Sequence, residues 1–467
     1  MKIQVLDEAK IERIKTLTED IIENIGFTVD DEEIISAAAK AGAVIERDNV
    51  RIPRALLAEL LSTVPSSYTV KGMTGNEYTI GGGKQHIIGI VIDPFIIDYE
   101  TQQPRMPGME DVRVNTILNQ LNDDVYGMSR MDFPVVEFAD ATSTWRSLET
   151  HLLHHTKHYA VYPTSDRDFF AWVDMAQMLG KQHGVAVGEL ISAAVPSLSP
   201  LALVDINCNI LKECTKRNIA VIPTVCPMAG TTSPYSVEGS LLQSNAEIIF
   251  IGAMSQILNP GNKFLYAGGP SVSDMRTAHD MYYTVDKALW KTALVELADS
   301  YNMPCSAEMG GTLGHRYDMQ SGAETMLFML GAVTSGADIL AGLGSCYNAN
   351  GLSSEMMIIQ QEWQRISEFL SKGVSMERIE RGYQSIADTG AGGNYLMDDL
   401  TIEMLRSDGF YQSELMDVTG GYEVSQSILE KAHARVQALT SDFVSPVPGN
   451  TQESIKRYFA DIYKRLS

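Results

Sequence analysis

Cysteine is scarce: five residues, at 208, 214, 226, 305 and 346, are too few and too scattered for a disulfide framework or a zinc-ligand motif. A reducing compartment is the expectation. Basic residues are in deficit, 36 against 59 acidic ones, and the net charge of -23 repels nucleic acid and anionic membrane while leaving cationic small molecules welcome. Long apolar runs are missing too. Nothing approaches the roughly 18 residues of a membrane span, and Met1 to Glu8 lacks a signal-peptide core. No Gly-x-Gly-x-x-Gly turn follows the first strand of the strand–helix repeat, which weighs against a dinucleotide-binding sheet. The expectation is a soluble cytoplasmic protein without nucleic-acid or membrane partners.

What is present is core-forming material: 467 residues, 45% hydrophobic and 20% charged, with no low-complexity window. Ile11, Ile14, Leu17, Ile21, Ile22 and Ile25 recur at helical spacing before Gly26, and further helices are expected over 31–41 and after Pro53. Short strands are expected over 68–72, 77–80 and 86–92, giving an N-terminal α+β extension over residues 1–120. From Val125 the rhythm is strand, loop, helix, with strands expected at 125–128, 158–163, 188–194, 219–225, 264–267, 305–307 and 339–343. Seven or eight such units point to an α/β fold, a closed (β/α)8 TIM barrel over residues 121–373. After Gly373 the strand rhythm stops, and residues 374–467 read as a C-terminal helical segment packed on the barrel.

The run from Glu308 to Gln320 joins an apolar strand to an amphipathic helix through glycines and clustered polar groups, which marks it as an active-site loop. Other strand exits, at 131–134, 195–200, 226–230 and 267–270, are small and polar, as expected around a common mouth. Phe133, Tyr235, Tyr266, Tyr282, Tyr283 and Tyr347 supply aromatic faces suited to a quaternary ammonium ion. Arg276 and the pair His315 and Arg316 supply positive charge, and an arginine can grip a carboxylate with two hydrogen bonds. Aromatic walls with a basic anchor suit a zwitterion such as a betaine. For Arg276 a salt bridge inside its own loop is the alternative. Glu247 sits on an otherwise apolar helix, where an unpaired carboxylate is costly, so it has either a structural partner or a role in the site. His151, His154, His155 and His158 lack a His-Glu-x-x-His arrangement and read as a packed helix entering a strand, so no metal site is expected.

Taken in order, Ile25-Gly26, Ala41-Gly42-Ala43, Arg51-Ile52-Pro53, Val64-Pro65-Ser66-Ser67, Pro196 to Pro200, Asn245-Ala246-Glu247, Asp274-Met275-Arg276-Thr277, Asp318-x-Gln320-x-Gly322-x-Glu324, Gly336-Ala337-Asp338 and Gly390-Ala391-Gly392-Gly393 resemble the trimethylamine methyltransferase family over nearly the whole chain. The resemblance implies a TIM-barrel core. Where archaeal trimethylamine enzymes of that family carry pyrrolysine, this chain has Gly314-His315-Arg316-Tyr317, which makes it similar to the non-pyrrolysine branch acting on glycine betaine, proline betaine or carnitine. That branch implies methyl transfer from a quaternary amine to the Co(I) corrinoid (cobalamin) of a separate partner protein, with no tightly bound metal in this chain. The expected catalytic residues are Glu247 and His315, and the expected substrate-binding residues are Phe133, Tyr266, Arg276, Arg316, Tyr317 and Tyr347. A homo-oligomer is expected. The alternatives are a demethylase of a non-carboxylated methylated amine and a non-catalytic betaine-binding barrel.

Overall fold

A computed structural model describes residues 3–131, 133–138, 140, 142–163, 165–407, 409–417 and 426–466. Its centre is a parallel sheet of β1 (His86–Ile90), β2 (Val125–Met131), β3 (His158–Tyr162), β4 (Ile191–Ala194), β5 (Ala220–Ile222), β7 (Ser306–Glu308) and β8 (Ile339–Leu343), in the order β5-β4-β3-β2-β1-β8-β7. The stretch 264–268, β6, joins the two edges: Val221 bridges to Phe264 and Tyr266 bridges to Cys305, both in parallel. Leu265 N donates to Val221 O at 3.0 Å and Ser306 N to Tyr266 O at 3.1 Å. The ring is thereby closed into the expected (β/α)8 barrel.

Each strand leads into a helix that covers its outer face: α1 (Met109–Leu121), α2 (Ser143–Leu152), α3 (Asp166–His183), α4 (Asp205–Arg217), α5 (Val237–Leu258), α6 (Val285–Ser300), α7 (Met319–Ser335) and α8 (Ser354–Lys372). Two boundaries differ from expectation. His86–Ile90, expected in the N-terminal extension, is the first barrel strand, because it pairs with both β2 and β8 and its own helix α1 follows it. The strand expected to start at Gly188 begins at Ile191, since Val187–Leu190 winds into a helical turn.

The N-terminal helices Glu8–Asp20, Glu32–Ala41 and Arg54–Ser62 pack on α5. Asp31 caps the second by accepting from Ile34 N at 2.8 Å, and Gly42 ends it in the left-handed region at φ 106°. Buried from several sides, α5 is apolar around most of its circumference. It is long and apolar enough to cross a membrane by length and composition, and in this fold it is a core helix.

The antiparallel hairpin Tyr68–Lys71/Glu77–Ile80 stoppers the N-terminal end of the barrel. Val70 and Ile80 cluster with the inward-facing Ile88, Tyr126, Ala160, Ile222, Leu265 and Ile339, and Met73 N donates to Thr156 O at 2.7 Å just below β3. At the C-terminal end of the chain, Ile428–Ser441 lies on α8 and α1, and Gly449–Leu466 lies on α2, burying Ala432, Val436, Ile455 and Phe459.

Candidate active site

Side chains of a strand alternate between the two faces of the sheet, so barrel strands divide their residues between interior and helix layer. In β7, Ser306 and Glu308 face inward while Ala307 faces out; in β6, Leu265 and Ala267 face inward while Tyr266 faces out. The inward set, together with the strand exits, encloses a cavity of about 230 Å3 at the C-terminal mouth of the barrel. Its polar lining is Asp93, Ser129, Tyr162, Thr224, Cys226, Tyr282, Tyr283, Lys291, Ser306, Glu308 and Ser345.

The charged centre is built by β7 and α6. Lys287 and Lys291 are four residues apart, so they share one face of α6, and both are buried. Lys291 Nζ lies 3.2 Å from Glu308 Oε1 and donates to Gly268 O at 2.5 Å. Lys287 Nζ sits 3.1 Å from the centroid of the Tyr282 ring and 3.9 Å from Cys226 Sγ. Tyr282 OH donates to Glu308 Oε1 at 2.8 Å. Burial opposes charge on Glu308, yet the two ammoniums and the tyrosine hydroxyl hold its carboxyl below the usual range. Burial pulls the Lys291 ammonium down, and the Glu308 charge offsets this only in part. Glu308 Oε2, although buried, has no hydrogen-bond partner among the described residues.

The tyrosines remain protonated walls. Burial pushes Tyr162 up to about 12, with the Glu308 charge adding to it, and raises Tyr282 and Tyr283 well above the usual range for the same reasons. The Tyr282 and Tyr283 rings meet edge-on at 5.0 Å, and Tyr283 OH donates to Ser345 Oγ at 2.8 Å. Tyr283 also dictates a glycine in the Glu308 to Gln320 loop: at Gly311, φ 132°, any Cβ would run into its ring. The rest of that loop is pinned by Glu324, which accepts from Thr312 Oγ1 at 2.6 Å and Leu313 N at 3.0 Å, while Asp318 caps α7 through Ser321 N at 3.1 Å. The Asp-x-Gln-x-Gly-x-Glu pattern is thus a device that fixes the loop.

Across the mouth, Tyr347, Asn348 and Ala349 are three successive left-handed residues, at φ 49°, 55° and 60°, a costly arrangement for residues other than glycine. It is held by Asn348, whose Oδ1 accepts from Tyr282 N at 2.6 Å and whose Nδ2 donates to Asp280 O at 2.6 Å. The strained turn therefore sets the position of Tyr282.

The structure distributes the expected site residues widely. His315 and Tyr347 come together at the rim, rings 5.3 Å apart and edge-on, with Phe95 on the other side of Tyr347 at 5.7 Å. Tyr317 stands behind them, its hydroxyl 2.7 Å from Ser353 Oγ at the start of α8, and Arg316 is exposed. Phe133 is half-buried against the core, and its neighbour Asp132 lies outside the described residues. Tyr266 points into the helix layer because of strand alternation, donating to Asn245 Oδ1 at 2.7 Å. Arg276 is 91% exposed and lies 3.6 Å from Asp274, the salt-bridge alternative. Glu247 lies on the outer side of the barrel and accepts from Ser197 Oγ at 2.6 Å, Ser199 Oγ at 2.7 Å, Leu201 N at 3.1 Å and Gln243 Nε2 at 2.9 Å. It therefore has the structural partner that its apolar helix demanded. Of the aromatic supply, Tyr282 and Tyr283 line the cavity. Asp93, Tyr162, Lys287 and Lys291 were not singled out from sequence, and Glu308 was named only as the first residue of the expected active-site loop; the available signal was charge at an inward strand position and two lysines four apart on a helix with apolar neighbours.

The comparisons with known proteins cover nearly the whole chain. Over 451 residues it is 23% identical to a glycine betaine methyltransferase of Desulfitobacterium hafniense (strain Y51), covering 95% of this chain and 94% of that one. It is 25% identical over 421 residues to an L-carnitine:corrinoid methyltransferase of Eubacterium limosum, covering 86% and 84%, and 23% identical over 393 residues to a proline betaine:corrinoid methyltransferase of the same organism, covering 80% of each. The family model described as Trimethylamine methyltransferase (MTTB) matches residues 1–465, and the chain belongs to that family.

Proposed function

We propose that this chain transfers a methyl group from a zwitterionic quaternary amine, a betaine, to the Co(I) corrinoid of a separate protein. The observation that carries the reading is the cavity itself, which is walled by protonated tyrosines and lined by two carboxyl groups and the Lys291 ammonium, with Lys287 buried against the Tyr282 ring, so its charge suits a ligand bearing both signs. The similarity to glycine betaine, carnitine and proline betaine enzymes supports the same substrate class. The Co(I) corrinoid supplies the nucleophile when its carrier docks at the barrel mouth.

The residues of this chain would bind and orient. Lys291 attracts the substrate carboxylate, with the Lys287 charge behind Tyr282 adding to the field, while the faces of Tyr282, Tyr283 and Tyr162 exclude water around the methylated nitrogen. A quaternary nitrogen leaves as a neutral tertiary amine, so no proton has to be delivered to it. What remains is alignment of one N-methyl group with the open mouth. His315 and Tyr347, paired at the rim, stand where a docked partner would meet the chain. A cytoplasmic setting fits both Co(I) chemistry and five free cysteines, and a homo-oligomer belongs to the same reading.

The test is incubation of the purified protein with Co(I) cobalamin and a panel of glycine betaine, proline betaine, carnitine and choline, followed by the cobalamin spectrum. Methylation by at least one carboxylated amine, faster than by choline, is the expected result. Methylation by choline alone would favour the non-carboxylated alternative, and tight binding without any transfer would favour a binding barrel.

A further inference from the structure

Glu308 is answered by two ammoniums, but a second carboxyl in the cavity is not. Asp93 follows the end of β1, is only 7% exposed, and lines the same cavity. Among the described residues no donor and no cation engages it, and burial alone pushes its carboxyl well above the usual range. The groups that feel its charge are Tyr283 and Cys346; across the cavity stand Tyr162, Tyr282, Glu308 and Lys291. Lys291 is committed to Glu308 and the Gly268 carbonyl, and Lys287 to the Tyr282 ring. A buried carboxyl without a partner either carries a proton or awaits a cation.

We infer that Asp93 is the counter-ion of the substrate's cationic nitrogen, resting as a neutral acid and losing its proton to solvent when the onium group arrives. Charge balances: a neutral acid and a permanent cation become a carboxylate–onium pair and one released proton. The inference rests on the betaine reading only in requiring an onium ligand. It also orients the ligand. The nitrogen lies on the Asp93 and Tyr283 side, and a betaine carboxylate lies toward α6 and Lys291. When the methyl group leaves, the nitrogen becomes neutral, and Asp93, again without a cation, takes a proton back from solvent. Its contact with the ground state is thus stronger than with the transition state, so its removal raises KM and does not lower kcat.

The test is calorimetric titration of the full chain with tetramethylammonium, glycine betaine and 3,3-dimethylbutanoate, the carbon isostere of glycine betaine, in two buffers of different ionisation enthalpy. The expected result is proton release with both onium ligands and none with the isostere. Asp93→Asn, checked for folding by its thermal melt, should lose that release and weaken onium binding about tenfold or more, with isostere binding unchanged or tighter. In turnover it should raise KM without lowering kcat. Onium binding by the wild type without proton release would overturn the inference even if the variant fails to fold, as would a folded variant that keeps its onium preference. Tetramethylammonium binding that depends on Asp93, without methyl transfer from any amine, would instead end the betaine transfer reading and leave Asp93 in place. Methyl transfer indifferent to Asp93 would do the reverse, and absence of all onium binding would overturn both.

Discussion

Glu247 and Glu308 are both buried carboxylates flanked by apolar sequence, yet the chain treats them oppositely. Four donors converge on Glu247 from Ser197, Ser199, Leu201 and Gln243, so its lone pairs are spent on holding the loop after β4 against α5. Glu308 takes its partners on one oxygen, Oε1, and its other oxygen is buried with nothing described to answer it. A fully satisfied buried charge is scaffold, whereas a partly satisfied one beside a cavity has binding capacity left. Burial alone did not separate the two.

The contrast can be broken by mutation. Glu308→Gln keeps the shape and removes the charge shared by Lys287 and Lys291, so methyl transfer to Co(I) cobalamin should fall by about 10²-fold or more. Glu247→Ala should lower unfolding free energy by about 3 kcal/mol in a urea titration, because a charged acceptor of several hydrogen bonds is lost, while the rate per folded molecule stays near wild type at low temperature. If Glu247→Ala abolished transfer in folded protein and Glu308→Gln did not, their assigned roles would be exchanged.

Lys291→Met sharpens the comparison within the cavity. Loss of a cation lets burial push the Glu308 carboxyl up, so the acid limb of a pH–rate profile that follows the ionised carboxylate should move to higher pH. Binding of glycine betaine should weaken about tenfold relative to tetramethylammonium in the same calorimetric series. The smallest effect is expected from Arg276→Ala, whose side chain is 91% exposed: KM for glycine betaine should stay within about twofold of wild type.

The barrel was legible because its signal repeats. Short apolar runs followed by helical periodicity recur along the chain, and even β6, held mainly by isolated bridges, was visible as an apolar run at 264–267. β1 was read as a strand but attached to the wrong unit, since hairpin strands and Gly81-Gly82-Gly83 precede it and nothing local says that it pairs with β8, about 250 residues away. The aromatic and zwitterionic character of the site was legible in outline through Tyr282 and Tyr283. Its charged residues were not, because inward and outward positions on a strand differ only by parity, and parity cannot be assigned until one residue is known to face the interior. Tyr266 shows the cost of that ambiguity: a single step along β6 separates it from Leu265 and Ala267 on the cavity wall.

The hairpin that stoppers the barrel has a kinetic meaning. With its far end filled by Val70 and Ile80, the cavity is reached, among the described residues, from the C-terminal mouth, and in the proposed transfer the corrinoid carrier must stand in that doorway. Amine must enter before the carrier docks, and demethylated amine must wait until it departs. Turnover is then compulsorily sequential, and carrier in excess over substrate should lock the empty enzyme into a dead-end complex, visible as inhibition that rising amine concentration relieves.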